Sequence, residues 1–165
     1  MQRILIIGSP GAGKSTLARS LAERTGLPLH HLDQIHWLPG WVERDRDEER
    51  VVLDRLLAQD HWIIDGNYGS TLPQRIARAD TVVWLDYPTA LCLRRVLTRW
   101  WLYRSRSRPD MPADCPERID LPFLRYVLTF RGAWAKRNAG ALARFAGQTI
   151  RLRNSAQTQA WLAAL

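Results

Sequence analysis

Lysine, cysteine and methionine are scarce in this chain of 165 residues, with two of each. The cysteines, Cys92 and Cys115, lack metal-ligand spacing, which excludes a cysteine zinc site and a disulfide-rich framework. We therefore expect both to be free thiols. Because Lys14 and Lys136 are the only lysines, almost all cationic side chains are arginines, and the formal net charge is +8.

Long hydrophobic runs are also absent. No apolar run approaches the roughly 20 residues that a membrane-spanning helix needs. The apolar run at positions 4–7 is too short for a signal-peptide core, and a glycine-rich loop follows it instead of a cleavage site. We therefore expect a cytoplasmic protein without a membrane partner, and the length predicts a single domain, residues 1–165.

Apolar runs at positions 4–7, 27–32, 62–64, 81–85 and 148–152 predict five strands, and helical patterns lie between them. This alternation predicts an α/β fold, with a parallel sheet covered by helices on both faces and the strand order 2-3-1-4-5. Ligands in such sheets bind beyond the carboxyl ends of the strands. Asp33, Asp65 and Asp86 each follow a predicted strand, so we expect them to line one crevice.

The loop after the first strand has the pattern G-x-x-x-x-G-K-[ST], defined here by Gly8, Gly13, Lys14 and Ser15. Its glycines let backbone N–H groups surround a phosphate, and the helix that follows adds its positive dipole end. Lys14 reaches the outer phosphates, and the Ser15 hydroxyl is a ligand for Mg²⁺. The pattern therefore predicts a P-loop for ATP. We expect the nucleotide to contact Gly8, Pro10, Gly11, Ala12, Gly13, Lys14, Ser15 and Thr16.

Two of the strand-end carboxylates are candidates for the chemistry. Asp65 ends an apolar strand and precedes Gly66, so it is the better candidate for a carboxylate near Mg²⁺, together with Ser15. Asp33 is a candidate for binding an acceptor hydroxyl or for acting as its general base. Either aspartate can instead cap the loop or helix that follows it. The histidines at positions 30, 31 and 36 surround Asp33, and their spacing fits no zinc pattern.

Arginines are concentrated on a predicted helix, 89–103, and on the loop 104–116 that follows it. They are Arg94, Arg95, Arg99, Arg104, Arg106 and Arg108. Arginines on a closing loop neutralise charge on transferring phosphates and exclude water. The same residues also fit a solvated basic face, or a nucleic-acid patch with Trp100, Trp101 and Tyr103.

The stretch from Trp84-Leu85-Asp86-Tyr87-Pro88 to Arg95 and Arg99 resembles the adenylate-kinase group of small P-loop kinases. The resemblance implies a three-layer P-loop fold of nucleotide-kinase type with a small helical lid, at about 100–125 in this chain. It also implies that Arg95 packs on the adenine, that Arg99 contacts phosphates, and that Asp65 lies near the magnesium shell.

Other motifs are similar to the bacterial family of DNA topology modulation, or FlaR-like, proteins, and this resemblance covers most of the chain. They are Leu32-Asp33 with Trp37, Pro39 and Trp41, then Trp62-Ile63-Ile64-Asp65-Gly66-Asn67-Tyr68, Arg108-Pro109-Asp110-Met111 and Cys115-Pro116-Glu117-Arg118. The resemblance strengthens the predictions of fold and nucleotide binding. It says little about the substrate, because the family is named for a phenotype.

One departure concerns the acceptor. Adenylate kinases follow their Asp-Gly with a Phe-Pro-Arg segment whose arginine holds the nucleoside monophosphate. Asn67-Tyr68-Gly69 stands there instead, which argues against that acceptor. By position, Asp33 resembles the acid after the second strand of shikimate kinase, which binds substrate hydroxyls.

We therefore predict a Mg²⁺-dependent kinase that transfers a phosphoryl group from ATP to a small-molecule acceptor and releases ADP. Its catalytic residues are Lys14, Asp33, Asp65 and Arg99, and Ser15 and Asp65 hold the metal. The alternatives are a nucleotide-gated regulator that acts on DNA topology or a protein partner, and a simple NTPase. The pattern leaves open the acceptor, the choice between ATP and GTP, and whether the chain is a monomer or a homodimer.

Overall fold

The fold alternates strands and helices along the chain. A computed structural model describes residues 1–165, apart from the side chains at positions 135 and 137–139. The strands are β1 (Arg3–Gly8), β2 (Leu29–His31), β3 (Trp37–Leu38), β4 (Val42–Glu43), β5 (Trp62–Asp65), β6 (Thr81–Leu85) and β7 (Gln148–Leu152). The helices are α1 (Lys14–Thr25), α2 (Leu32–His36), α3 (Arg46–Leu57), α4 (Leu72–Arg78), α5 (Thr89–Tyr103), α6 (Leu121–Ala143) and α7 (Ser155–Ala163).

Five parallel strands form the main sheet, in the order β2-β5-β1-β6-β7. When only these strands are counted along the chain, the order is 2-3-1-4-5, as the sequence predicts. In the register, Leu5 of β1 lies between Ile64 of β5 and Val82 of β6. Strands β3 and β4 form a separate antiparallel hairpin that the hydrophobic pattern does not predict.

The side chains of β1 alternate between two hydrophobic clusters. Ile4 and Ile6 pack into a cluster with residues of α1, α5 and α7, whereas Leu5 and Ile7 pack into a cluster with residues of α3, α4 and α6. Helices therefore cover both faces of the sheet, and the protein has the predicted three-layer α/β architecture.

Several predicted boundaries coincide with observed ones, including those of α5 and β7. The Asn154 side chain accepts a hydrogen bond from the Gln157 N–H and caps α7. The predicted strand at 27–32 is too long, because the chain turns into α2 at Leu32, whose side chain packs into the core.

Residues 104–120 connect α5 to α6 over the carboxyl edge of the sheet, within the range where a lid is predicted. The segment consists of turns and one isolated antiparallel bridge between Ser107 and Pro116, so the helical parts of the range 100–125 belong to the ends of α5 and α6. Among the described residues, no helix is long and apolar enough to cross a membrane.

Candidate active site

The loop between β1 and α1 folds tightly against α5. The Ala12 N–H donates to the Ser9 carbonyl at 3.0 Å, and Gly13 precedes α1 with φ 94°, a conformation that glycine adopts without strain. A Cβ atom at Gly11 would clash with the carbonyl oxygen of Cys92 in α5. The loop therefore needs glycine both for its turn and for its close approach to the helix.

Lys14, the first residue of α1, turns its side chain back over this loop. Its Nζ donates to the Ser9 carbonyl at 3.2 Å. Burial lowers the pKa of Lys14, and the negative charges of Asp65 and Asp33 oppose that shift. The ammonium group therefore lies within the field of both strand-end aspartates.

A cavity of 540 Å³ lies beside the loop and extends to α7. It is lined by six of the predicted P-loop contacts together with Arg95 of α5. Arg95 donates to Ser155 Oγ at 3.0 Å and to the Ala12 carbonyl at 3.4 Å, and its guanidinium lies 5.3 Å from the ring centroid of Tyr87. This end of the cavity thus combines a planar cation with an aromatic ring and with small polar groups.

Asp65, at the end of β5, is buried and contacts His31 of β2. His31 Nδ1 and Asp65 Oδ1 are 2.5 Å apart. Burial lowers the pKa of His31, but the hydrogen bond and charge of Asp65, with the charge of Asp110, outweigh it and raise that pKa overall. Asp65 therefore favours the protonated, positively charged form of His31.

Asp110, in the connection between α5 and α6, is buried beside the P-loop and accepts a hydrogen bond from the Ser15 hydroxyl. Burial raises its pKa, but the charge of Arg108 and the bond from Ser15 lower it overall, so Asp110 is held ionised.

Within the part of the chain that is described, no group of three or more histidine, cysteine, aspartate or glutamate side chains is placed to hold a metal ion. Ser15 and Asp65 do offer the hard oxygen ligands that Mg²⁺ prefers.

Asp33 lies at the start of α2, facing the same edge of the sheet. Its Oδ1 accepts a hydrogen bond from the Tyr68 hydroxyl at 2.8 Å, and its Oδ2 lies 4.0 Å from Arg108 Nη2. Burial and the charge of Asp33 both raise the pKa of Tyr68, so its hydroxyl keeps its proton and donates. The Asp33 side chain is 40% exposed, which leaves part of the carboxylate open to a ligand.

Glu117 joins two arginines of the site. It is buried and forms ion pairs with Arg99 of α5 and with Arg108, whose Nε lies 2.8 Å from Glu117 Oε2. Arg108 also pairs with Asp110 at 2.9 Å. Burial and the neighbouring charge of Arg108 lower the pKa of Arg99. These ion pairs fix both guanidinium groups in front of the P-loop.

A second cavity, of 590 Å³, opens on the other side of these arginines. Asp33, Asp65 and Pro10 line it, with aromatic side chains of the β3–β4 hairpin and of α6. Four side chains line both cavities: Lys14, Ser15, Arg99 and Arg108. The two cavities therefore meet at the end of the P-loop.

The structure corrects the prediction that Asp86 lines the same crevice. In the part of the chain that is described, Asp86 lines neither cavity; its buried carboxylate pairs with Arg131 at 2.9 Å and with Arg151 at 2.6 Å. A carboxylate between two guanidinium groups at the sheet edge connects α6 to β7, which is a structural role.

The predicted arginine segment divides into two groups. Arg95, Arg99 and Arg108 line the cavities, whereas Arg94, Arg104 and Arg106 are exposed. Arg104 lies over the ring of Trp101 at 4.0 Å, so this aromatic residue packs on the surface and not in the core.

The predicted nucleotide contacts are also distributed unevenly. Gly11, Ala12, Gly13, Lys14, Ser15, Thr16, Arg95 and Arg99 line the first cavity, and Pro10 lines the second. Gly8 lines neither in the described part of the chain; it ends β1 and packs against Leu85 of β6.

Sequence reasoning missed four side chains that shape the site: His31, Tyr68, Asp110 and Glu117. Asp110 and Glu117 stand out in hindsight, since they are acidic residues on a loop that is otherwise rich in arginine. Arg75 was also missed. It is fully buried in α4, and it donates to the carbonyls of Gly66, Asn67 and Tyr68, which sets the course of the loop after β5.

Comparison with known proteins identifies the family of this chain. The family model described as an AAA domain matches residues 4–108. The shikimate kinase of Mycobacterium ulcerans (strain Agy99) is 30% identical, over 87% of this chain and 86% of the relative. The shikimate kinase of Xanthomonas euvesicatoria pv. vesicatoria (strain 85-10) is 33% identical, over 70% and 69%. The solved shikimate kinase from Acinetobacter baumannii in complex with shikimate has the same fold, with a TM-score of 0.56 and 21% identity over 99% of this chain and 92% of that chain.

Proposed function

Because this chain belongs to the AAA-domain family of P-loop proteins and is a relative of the shikimate kinases, we propose that it is a kinase. It transfers the γ-phosphoryl group of ATP to a hydroxyl group of a small-molecule acceptor, with Mg²⁺. The observation that carries the proposal is the meeting of two cavities at Lys14, Ser15, Arg99 and Arg108. A nucleotide in one cavity and an acceptor in the other would bring the γ-phosphate between them.

In this proposal the first cavity holds ATP. The P-loop amides and Lys14 bind the phosphates, and Arg95 stacks on the adenine near Tyr87 and α7. Mg²⁺, held by Ser15 and by Asp65 directly or through water, would neutralise charge on the phosphates. Arg99 and Arg108 line both cavities together with Lys14, which suits them to neutralise charge on a transferring phosphoryl group.

The second cavity holds the acceptor, with its hydroxyl directed at Asp33. The acceptor oxygen forms a bond to the γ-phosphorus while the bond from that phosphorus to the β–γ bridging oxygen breaks. The hydroxyl proton passes to Asp33, and ADP leaves with the electron pair of the broken bond. Tyr68 orients Asp33 through the 2.8 Å hydrogen bond.

Three finer predictions belong to the same proposal. The chain is a FlaR-like protein of the adenylate-kinase type, residues 100–125 form a lid on the single domain, and the protein works in the cytoplasm. The contacts of residues 104–120 with the P-loop support the lid, since Asp110 reaches Ser15 from that segment.

Substitution of the P-loop lysine tests the proposal, and the second lysine of the chain provides a matched control. Lys14→Ala should reduce ATP turnover with a panel of hydroxylated acceptors by about 10²-fold or more. Lys136→Ala, at an exposed position on α6, should leave turnover unchanged. The measurement is acceptor-stimulated ADP release. Undiminished turnover by Lys14→Ala would overturn the assignment, and ADP release without any acceptor would instead indicate a simple NTPase.

One observation favours a second function, nucleotide-gated binding to DNA. Arg94, Arg104 and Arg106 are exposed near Trp101, whose side chain is 61% exposed. If DNA binds there, its affinity for the protein should fall as the salt concentration rises. The fall should be steeper the more phosphates the protein contacts. Binding that is unchanged by Arg104→Ala and Arg106→Ala together would exclude this surface.

A further inference from the structure

The outer wall of the second cavity is aromatic. Trp37 and Trp41 from the β3–β4 hairpin, Tyr68 from the loop after β5, and Phe123 and Tyr126 from α6 line it. The rings of Trp37 and Trp41 meet edge to face, with centroids 5.1 Å apart. Aromatic faces of this kind bind flat rings through stacking and exclude water.

This wall is held in place before any ligand arrives. The indole Nε1–H of Trp41 donates to the Pro116 carbonyl at 3.0 Å, and its backbone N–H donates to Cys115 Sγ at 3.3 Å. The ring of Trp37 packs edge to face on His36, at 4.8 Å. Ordered rings lose little conformational entropy on binding, so stacking against them is favourable.

The two cavities differ in charge. The nucleotide cavity is lined by five cationic side chains and one carboxylate, Asp110, so it has an excess of positive charge. Apart from His31, which pairs with Asp65, the second cavity is lined by four cationic side chains and four carboxylates. Its cations are Lys14, Arg99, Arg108 and Arg118, and its carboxylates are Asp33, Asp65, Glu117 and Asp120.

This difference in charge bears on what each cavity binds. ATP brings several negative charges, which the nucleotide cavity balances. An acceptor with a phosphate or carboxylate would add negative charge to a site that already contains four carboxylates, beside the partly exposed Asp33. Arg99 and Arg108 pair with Glu117, so an anionic acceptor would have to compete for them.

We infer that the acceptor is an uncharged alcohol with a flat ring, of the nucleoside class. The ring stacks on Trp37, with Trp41 alongside it because the two indoles stand edge to face, and the hydroxyl group reaches Asp33. A cavity of 590 Å³ is of the size that binds small molecules. The inference rests on the proposed phosphoryl transfer, and it distinguishes this acceptor from the carboxylated ring of shikimate and from a nucleoside monophosphate.

Direct binding measurements, with ADP saturating the nucleotide cavity, test separately the effects of the ligand's charge and of its flat ring. Isothermal titration calorimetry would measure cytidine, guanosine and thymidine, the 5′-monophosphate of each, inositol and shikimate. We expect at least one nucleoside to bind 10-fold or more tightly than its own monophosphate, inositol and shikimate. Tighter binding of the monophosphate or of shikimate, or no binding of any nucleoside, would overturn the inference.

Variants then locate the bound ring. Trp37→Ala should raise the KM and Kd of the best nucleoside by about 10-fold or more, as expected for lost base stacking, and Trp37→Phe should restore most of the affinity. Trp101→Ala, on the outer surface of α5, should have no effect. An equal affinity of Trp37→Ala and wild type would contradict the proposed stacking.

The outcomes also separate this inference from the proposed function. If ATP turnover depends on Lys14 but is supported only by anionic acceptors, the inference fails and the kinase assignment stands. If nucleosides bind with the expected preference but no phosphorylated nucleoside appears by mass spectrometry, the acceptor class stands as a ligand and the phosphoryl transfer fails.

Discussion

Asn67 pairs with the backbone of Gly8 through both ends of its amide. Its Nδ2 donates to the Gly8 carbonyl at 2.8 Å, and its Oδ1 accepts from the Gly8 N–H at 3.2 Å. The loop after β5 is thereby joined to the first residue of the P-loop motif. This asparagine lies in the segment where the chain departs from the Phe-Pro-Arg of adenylate kinases, and it supports the phosphate loop.

Asn67→Ala should therefore weaken both the fold and nucleotide binding. It removes two hydrogen bonds and leaves the Gly8 backbone groups without these partners, which should lower the free energy of unfolding by about 1–3 kcal/mol. Urea denaturation and ATP titration would measure both effects. Unchanged stability together with unchanged ATP affinity would show that the pairing has no influence on the loop.

Arg75 should be intolerant of lysine. Its buried guanidinium donates to three carbonyls, those of Gly66, Asn67 and Tyr68, and burial lowers its pKa to about 9. An ammonium group has neither the planar fork nor the reach for all three, so Arg75→Lys should cost about 2 kcal/mol or more of unfolding free energy.

Arg78→Lys provides a matched control on the same helix. Arg78 is exposed, and its Nε donates to the Leu57 carbonyl at 3.0 Å. Its substitution should change stability by less than about 0.5 kcal/mol, as is usual for surface positions. Equal losses from the two variants in chemical denaturation would contradict a special role for Arg75.

Asp86 should make stability depend on pH in the acid range. Burial raises its pKa, but the hydrogen bonds and charges of Arg131 and Arg151 outweigh burial and lower it overall. A carboxyl group whose folded pKa is depressed stabilises the fold above its unfolded pKa of about 3.9, and that contribution is lost as the pH falls through the folded pKa.

Asp86→Asn should therefore be less stable than wild type at pH 7, and the difference should shrink below about pH 4. Thermal unfolding at pH 7, 5 and 3 would follow the difference. A gap in melting temperature that stays constant over this range would show that the charge of Asp86 contributes nothing.

Substitutions of Asp33 and Tyr68 should distinguish a catalytic residue from a residue that positions it. Asp33→Asn removes the proposed base and should lower kcat by about 10²-fold or more, whereas ATP affinity should change little. Tyr68→Phe keeps the carboxylate but removes its 2.8 Å hydrogen bond, so we expect a smaller loss that is confined to the acceptor kinetics. Full activity of Asp33→Asn would exclude it as the base.

The sheet and the P-loop could be predicted because each strand and the loop motif are specified by residues that are close together in the sequence. A four-residue apolar run before Gly8 and the G-K-S sequence at Gly13 are complete within a dozen residues. The pattern of strand ends placed Asp33 and Asp65 at one edge, where the structure has them lining one cavity. Their catalytic roles stay predictions.

Contacts between distant segments were beyond such reasoning. Asp86 looks like Asp65 in the sequence, since both end apolar strands, yet its partners Arg131 and Arg151 come from α6 and β7. The partner of Glu117 in α5 is 18 residues away, and nothing in the local pattern specifies it. The β3–β4 hairpin contains only two residues on each side, too few for a period-two pattern.

The ion pairs of Glu117 have a consequence for turnover. Arg99 and Arg108 both pair with Glu117, so in the proposed reaction a phosphate group that bound them would compete with an internal carboxylate. On release of the product, Glu117 would re-form its pairs and neither guanidinium would be left without a partner. That competition would keep the affinity for the departing phosphate low and return the site to its starting arrangement.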